Sequence, residues 1–290
     1  MKCGTSSLHE YLGAHPSIFM SMPKEPSFLV DRQRSRRVVC RDEEQYIALF
    51  RDADDAQVIG ESSTNYSKRP RFEGAPERIS AFNAAARIIY IMRDPIERTI
   101  SHYWHSVRTG AESRDILEAV QGNPHYRAVS HYAMQISPYL ERFGSERVYT
   151  LTLEQLGGAP AEEMAALYEW LGVDPTFVPE SLTRRFHETE RVVSRARGGG
   201  ALARLRRSPA WSRVSPWIPR PIRAVGRRRA EREIDRGSVA TSEVAEFLRA
   251  TQQREVADLT DLLGREFTEW TTLRGAPQGI GCADDGGGSG

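Results

Sequence analysis

The run Ile88-Ile89-Tyr90-Ile91-Met92 constrains the fold more than any other stretch of this chain. Its β-branched, aromatic and apolar residues leave no polar face. Such a strand has to be covered on both sides, as in a parallel sheet with helices on each face. It stops at Arg93-Asp94-Pro95, and proline suits the first turn of a helix. The helix expected there carries Arg98, Ser101, His102, Tyr103 and His105. Ile18-Phe19-Met20 is a short apolar run, and further strands are expected at 57–60 and 147–153. Helices are expected over 43–50, over 76–85 with Ile79 and Phe82 facing inward, and over 128–143, 161–171 and 242–263. This alternation argues for an α/β fold in three layers, a central parallel sheet flanked by helices.

The opening of the chain is of a different kind. Lys2-Cys3-Gly4-Thr5-Ser6-Ser7 runs into Leu8, Tyr11 and Leu12 at helical spacing. The first turn of a helix has free N–H groups and the positive end of the peptide dipole, so it attracts an anion. Gly4 lets the backbone approach that anion. Thr5, Ser6 and Ser7 add hydroxyls, and Lys2 adds a mobile ammonium. An ordinary Ser/Thr helix cap behind a surface lysine has the same local pattern. Composition tips the balance: among forty basic residues only Lys2, Lys24 and Lys68 are lysine. Lysine can follow a moving phosphate or sulfate oxygen as a point charge, whereas arginine presents a rigid fork.

In Met22-Pro23-Lys24-Glu25-Pro26 two prolines hold Lys24 and Glu25 in a non-helical loop. Glu25 is a candidate proton acceptor there, with His9 and His102 as rivals. Glu61-Ser62-Ser63-Thr64-Asn65-Tyr66 follows the 57–60 strand, as polar segments lining a site at a strand's C-terminal end do. A strand-to-helix bend would bring Arg93 alongside Ser101, a pairing suited to a phosphate.

At 290 residues and net charge +1, one domain over 1–275 is expected, with a disordered tail over 276–290. The balanced charge argues against wholesale nucleic-acid binding. Arginine is dense over 184–236, which reads as a solvated, partly irregular segment or as a patch for an anionic ligand, an acidic substrate or a membrane surface. Cys3, Cys40 and Cys282 show neither metal nor disulfide spacing, which fits a reducing cytoplasm. No apolar run approaches membrane length, and no metal-ligand cluster is evident.

Together these pieces resemble the sulfotransferases that use 3′-phosphoadenosine 5′-phosphosulfate (PAPS), in the bacterial branch related to heparan-sulfate sulfotransferases. The phosphosulfate loop is similar to Lys2-Cys3-Gly4-Thr5-Ser6-Ser7-Leu8, and the Lys-Glu-Pro element to Lys24-Glu25-Pro26. The strand–loop–helix for the 3′-phosphate resembles Ile88 through Arg93-Asp94-Pro95 to Ser101-His102-Tyr103. The resemblance covers Lys2 to Gly172, with a looser echo at Leu263-Gly264-Arg265-Glu266-Phe267 and Trp270. It implies a P-loop-like fold and metal-free transfer of the sulfuryl group from PAPS to a hydroxyl or amine of a small-molecule, lipid or carbohydrate acceptor. By the same resemblance Lys2, Cys3, Gly4, Thr5, Ser6 and Ser7 hold the 5′-phosphosulfate, with Lys2 also stabilising the bridging oxygen. Arg93 and Ser101 bind the 3′-phosphate, Glu25 is the base, and a late loop with Ser194, Arg195 and Arg197 closes on the nucleotide.

Two other classes compete. A P-loop kinase-like phosphotransferase would need G-x-x-x-x-G-K-[ST] and a magnesium carboxylate after a strand, which this chain does not offer. The other is a nucleotide-binding protein made inactive by truncation. A phosphate loop of this kind leaves a buried strand. A strand of about five to ten apolar residues upstream of Lys2 is therefore expected.

Overall fold

The computed structural model describes residues 1–31, 39–183, 192–196, 231–236 and 239–274. In chain order it runs α1 (Thr5–Ala14), β1 (Ile18–Met20), α2 (Glu43–Ala48), β2 (Val58–Gly60), α3 (Ala75–Phe82), β3 (Ile88–Met92), α4 (Pro95–Arg108), α5 (Ile116–Gly122), α6 (His125–Ala128) and α7 (Tyr132–Phe143). There follow β4 (Val148–Thr152), α8 (Leu153–Gly158), α9 (Pro160–Leu171), β5 (Val192–Ala196), β6 (Glu231–Asp235), α10 (Ser242–Leu263) and α11 (Thr271–Arg274).

β3 and β4 pair in parallel, from Ile88 opposite Val148 to Met92 opposite Thr152. β1 and β2 also pair in parallel, from Ile18 opposite Val58 to Met20 opposite Gly60. Successive residues of a strand point to opposite faces, and β3 shows the consequence. Ile91 packs with Leu8 and Leu12 of α1 and Leu167 of α9. Tyr90 and Met92 pack with Ile96 of α4, Ile136 of α7 and Leu248 of α10. Helices thus cover both faces of the pair, as the apolar run requires. A fully buried side chain such as Met92 or Ile136 contributes about 1.5–3 kcal/mol.

Some local expectations are refined. The helix expected over 128–143 begins only at Tyr132, as α7; residue 128 ends the short α6 instead, and the chain turns at Ser130 between them. There the Ser130 hydroxyl donates to the Pro95 carbonyl and accepts from Arg98 Nε, at 2.9 and 2.5 Å. α8 was not foreseen; its signal is the Thr152–Gln155 capping box. Phe82 does not face inward: it is 43% exposed. It lines a cavity of about 760 Å³ between β2 and β3, walled also by Leu8, Ile59, Ile89, Tyr139 and Met1. The same opening leaves Ile59 53% exposed and Ile88 and Ile89 half-buried. Among the described residues β2 and β3 are not paired with each other.

Asp94 ties the site-bearing end of β3 to the C-terminal part of the chain. Its carboxylate caps α4 by accepting from the Ile96 and Glu97 N–H groups, at 3.0 and 3.2 Å. It also accepts from the Thr272 and Leu273 N–H groups of α11, at 3.1 and 3.3 Å.

Candidate active site

The loops after β1, β2 and β3 and the start of α1 supply the candidate site. At that start Lys2 has φ 66° and Gly4 has φ 83°. At φ 83° any side chain would be strained, and a Cβ on Gly4 would also stand 2.6 Å from the flexible end of Leu153, Cδ1, so the bend favours glycine. α1 has no side-chain cap and no acidic residue in its first turn. The hydroxyl-cap reading of Thr5–Ser7 is thus not realised, and the first-turn N–H groups keep their attraction for an anion. Thr5, Ser6 and Ser7 are half-buried around them. The Cys3 side chain is 1% exposed and belongs to the core, which leaves only its backbone to the loop.

Lys2 sits among cations. Burial, then Arg108, Arg93 and Arg236, hold its ammonium below the ordinary lysine range. Arg93 pairs with Glu97, one turn into α4, at 3.2 Å. Ser101 and His105 continue that face of α4 toward Arg108 at helical spacing, and Ser101 is buried. Arg236, the last residue of the arginine-rich segment, stacks on Trp104 with its guanidinium 5.3 Å from the ring centroid.

Glu25 comes from the proline loop. Its φ is 65°, so two non-glycine residues of the candidate site, Lys2 and Glu25, adopt strained left-handed backbone. The Glu25 N–H donates to the Ser62 carbonyl at 2.9 Å, which anchors the loop after β1 to the loop after β2. Lys24 Nζ lies 3.3 Å from Glu25 Oε1 and 3.4 Å from Thr5 Oγ1, bridging the proline loop and the head of α1. Thr64 Oγ1 donates to Glu25 Oε2 at 2.9 Å. Lys68 Nζ donates to Thr64 Oγ1 at 3.0 Å and to Asn65 Oδ1 at 2.8 Å. Burial pushes the Glu25 carboxyl up, but Lys24, the Thr64 hydroxyl and Lys68 outweigh it and hold the group below its ordinary value.

The rival histidines are set differently. His102 is buried against Tyr126, with ring centroids 4.8 Å apart, and its Nδ1 accepts from Arg98 at 3.3 Å. Burial and that guanidinium push its pKa far down and keep it neutral. His9 bonds Ser62 Oγ at 3.0 Å, and burial and Lys24 lower its pKa. Of the late-loop candidates, Ser194 and Arg195 stand on β5, opposite Glu233 and Arg232 of antiparallel β6; Arg197 lies outside the described residues.

His105 and Arg108 were not singled out from the sequence as site residues; Thr64 was legible only within the polar stretch after β2, and Arg236 only as the end of the arginine-rich segment. Lys68 had left a compositional signal, as the third lysine of an arginine chain. Among the described residues no group of three or more His, Cys, Asp or Glu side chains is arranged to hold a metal ion, and no helix is long and apolar enough to cross a membrane.

A model of the sulfotransferase family matches residues 1–177. The chain is 26% identical over 201 residues to bifunctional heparan sulfate N-deacetylase/N-sulfotransferase 4 of Mus musculus, covering 63% of this chain and 22% of that protein. It is 27% identical over 184 residues to heparan sulfate glucosamine 3-O-sulfotransferase 3B1 of Mus musculus, covering 59% of this chain and 44% of that protein. It thus spans less than half the length of either relative. The crystal structure of a sulfotransferase from Alicyclobacillus acidocaldarius superposes with TM-score 0.67 and 25% identity, over 93% of this chain and 95% of the other. The family match takes in the Lys2 loop, the Glu25 loop and the Arg93 helix in one continuous span, and the chain belongs to the sulfotransferase family.

Proposed function

We propose that the chain moves the sulfuryl group of PAPS to a hydroxyl or amine of an acceptor, with a carbohydrate as the first class to test. The observation that carries this reading is the crowding of Lys2, Arg93, Arg108 and Arg236 beside an uncapped helix start. Such an excess of positive charge fits a ligand with several phosphate or sulfate groups. A carboxylate held ionised supports the second half of the reaction.

In this reading the N–H groups of the first turn of α1 and the hydroxyls of Thr5, Ser6 and Ser7 bind the 5′-phosphosulfate. Arg93 and Ser101 bind the 3′-phosphate. Glu25 takes the acceptor's proton as the new bond to sulfur forms. Lys2 neutralises the bridging oxygen as its bond to sulfur breaks, leaving adenosine 3′,5′-bisphosphate. The residues contribute positioning and preorganised charge rather than covalent chemistry. The carbohydrate class is taken from the names of the relatives, which act on heparan sulfate.

The test is release of adenosine 3′,5′-bisphosphate from PAPS in the presence of amino-sugar and hydroxyl oligosaccharides, with mass detection of the sulfated product. Release that depends on the acceptor supports the reading. Phosphoryl transfer from ATP with magnesium, and none of sulfuryl from PAPS, overturns it in favour of a kinase. Nucleotide binding without turnover on any acceptor overturns it in favour of a binding protein.

A further inference from the structure

Two of the chain's three lysines, Lys24 and Lys68, converge on one carboxylate. Lys24 contacts Glu25 directly. Lys68 comes from the short helical turn after β2, is 9% exposed, and touches Glu25 only through a hydroxyl. The geometry points to Lys68 as the positioning residue of this site: it fixes the Thr64 hydroxyl as a donor to Glu25 and so keeps that carboxylate ionised and aimed.

The direction of the hydrogen bonds carries the argument. An ammonium has three donors and no acceptor, so Thr64 Oγ1 has to accept from Lys68. The single hydroxyl hydrogen of Thr64 is then free to point at Glu25 Oε2, 2.9 Å away. Without Lys68 the hydroxyl is free to rotate, and one donor to the carboxylate is no longer guaranteed. Asn65 holds the other end of the arrangement, accepting from Lys68 at 2.8 Å and donating through Nδ2 to Ser27 Oγ at 3.2 Å. The loop that carries Glu25 and the turn that carries Lys68 are therefore one hydrogen-bonded unit.

The energetic cost of Lys68 supports a role other than holding the fold together. Burial pulls its pKa down to about 8, Glu25 opposes that shift, and Arg71, Arg98 and Lys24 add to it. His102, His105 and His125 also feel its charge. A lysine whose folded pKa lies below its unfolded value weakens the fold at neutral pH, since the unfolded chain holds the proton more tightly. A buried cation kept at such a cost, one hydroxyl from the candidate base, is the pattern of a stability–activity trade-off.

The proposal rests on Glu25 being the base, and the test separates the two ideas. Lys68→Met keeps length and removes charge; Thr64→Val removes the relay and leaves Lys68. For Lys68→Met, kcat is expected to fall about tenfold or more, a fraction of a general base's usual contribution. The Kd for adenosine 3′,5′-bisphosphate should stay within twofold, and the melting temperature should not drop. The acid limb of the kcat profile, and the ¹³C titration of the Glu25 side-chain carboxyl, should both move up by about one unit. Lys68→Met and Thr64→Val together should cost no more than the worse single change. The inference is overturned if the Glu25 carboxyl titrates at the same pH in wild type and Lys68→Met, or if the two substitutions multiply. A lower melting temperature with an unmoved acid limb also overturns it, by making Lys68 structural. If the wild type transfers no sulfuryl group, the activity reading fails and the carboxyl titration alone still decides the role of Lys68.

Discussion

Lys2 holds its charge at a backbone position that side-chain-bearing residues rarely adopt, beside Arg93, Arg108 and Arg236. Both features cost free energy, and a developing negative charge on a leaving oxygen would offset them. Lys2→Ala is therefore expected to slow sulfuryl transfer by about 10²–10³, the usual loss for one preorganised donor. Nucleotide affinity should change by far less; a mutant with full turnover would remove Lys2 from the chemistry. Arg93 allows a paired test, because its partner is Glu97. Arg93→Ala removes a charge-assisted contact of about 1.5–3 kcal/mol, which should raise the Kd of adenosine 3′,5′-bisphosphate about tenfold to a hundredfold. Glu97→Gln should lower it, since the carboxylate both repels a phosphate and occupies the guanidinium. Calorimetry with adenosine 5′-monophosphate, which lacks the 3′-phosphate, should show neither effect.

α4 is the element on which the candidate site depends. Its first turn starts at Pro95, its cap is Asp94, and one face carries Glu97, Ser101, His105 and Arg108. β5, which carries Ser194 and Arg195, packs against the same helix. The cap also accepts the two N–H groups of α11, so one carboxylate holds four donors from two distant segments. Asp94→Ala should destabilise the fold by about 2–4 kcal/mol: loss of a cap costs about 0.5–2 kcal/mol, and leaving buried α11 donors unpaired adds to it. Denaturant unfolding measures this directly. A loss confined to the cap value would mean that α11 finds other partners.

At the scale of the whole molecule, the buried histidines set the response to acid. Burial, Arg98 and His125 push the His102 pKa far below its ordinary value, and burial with Arg71, Lys68 and Arg98 lowers His125 to about 4. For a base with a depressed folded pKa, the unfolded chain binds the proton first. The stability it contributes is present above the unfolded value of about 6.5 and is lost as pH falls toward the folded value. Glu61 and Glu154 act the other way, because burial raises their carboxyls and protonation relieves them. The wild-type unfolding free energy should fall between pH 6.5 and 4, and His102→Gln should flatten that slope while keeping an acceptor for Arg98. Parallel slopes in the two proteins would show that His102 does not carry the effect.

Local structure was legible in the residues themselves. Five apolar residues ending in Arg93-Asp94-Pro95 specify a strand and the helix after it, because alternation, turn chemistry and N-terminal proline act over a few residues. The start of α1 and the non-helical loop around Glu25 were legible for the same reason, and the scarcity of lysine pointed at Lys68 without saying where it goes. Which residues stand side by side follows from long-range pairing instead. The parallel pairing of β1 with β2 and of β3 with β4 sets which loops meet, and no local pattern encodes it. That pairing ties the loop of Glu25 to the turn of Thr64 and Lys68, and further packing brings Arg108 and Arg236 to Lys2. It also turns the Cys3 side chain into the core and leaves Phe82 on the wall of an open cavity rather than inside. Hydrophobic periodicity shows that a face is apolar; which neighbour covers that face depends on strand order and register, which are contacts between residues far apart in the chain.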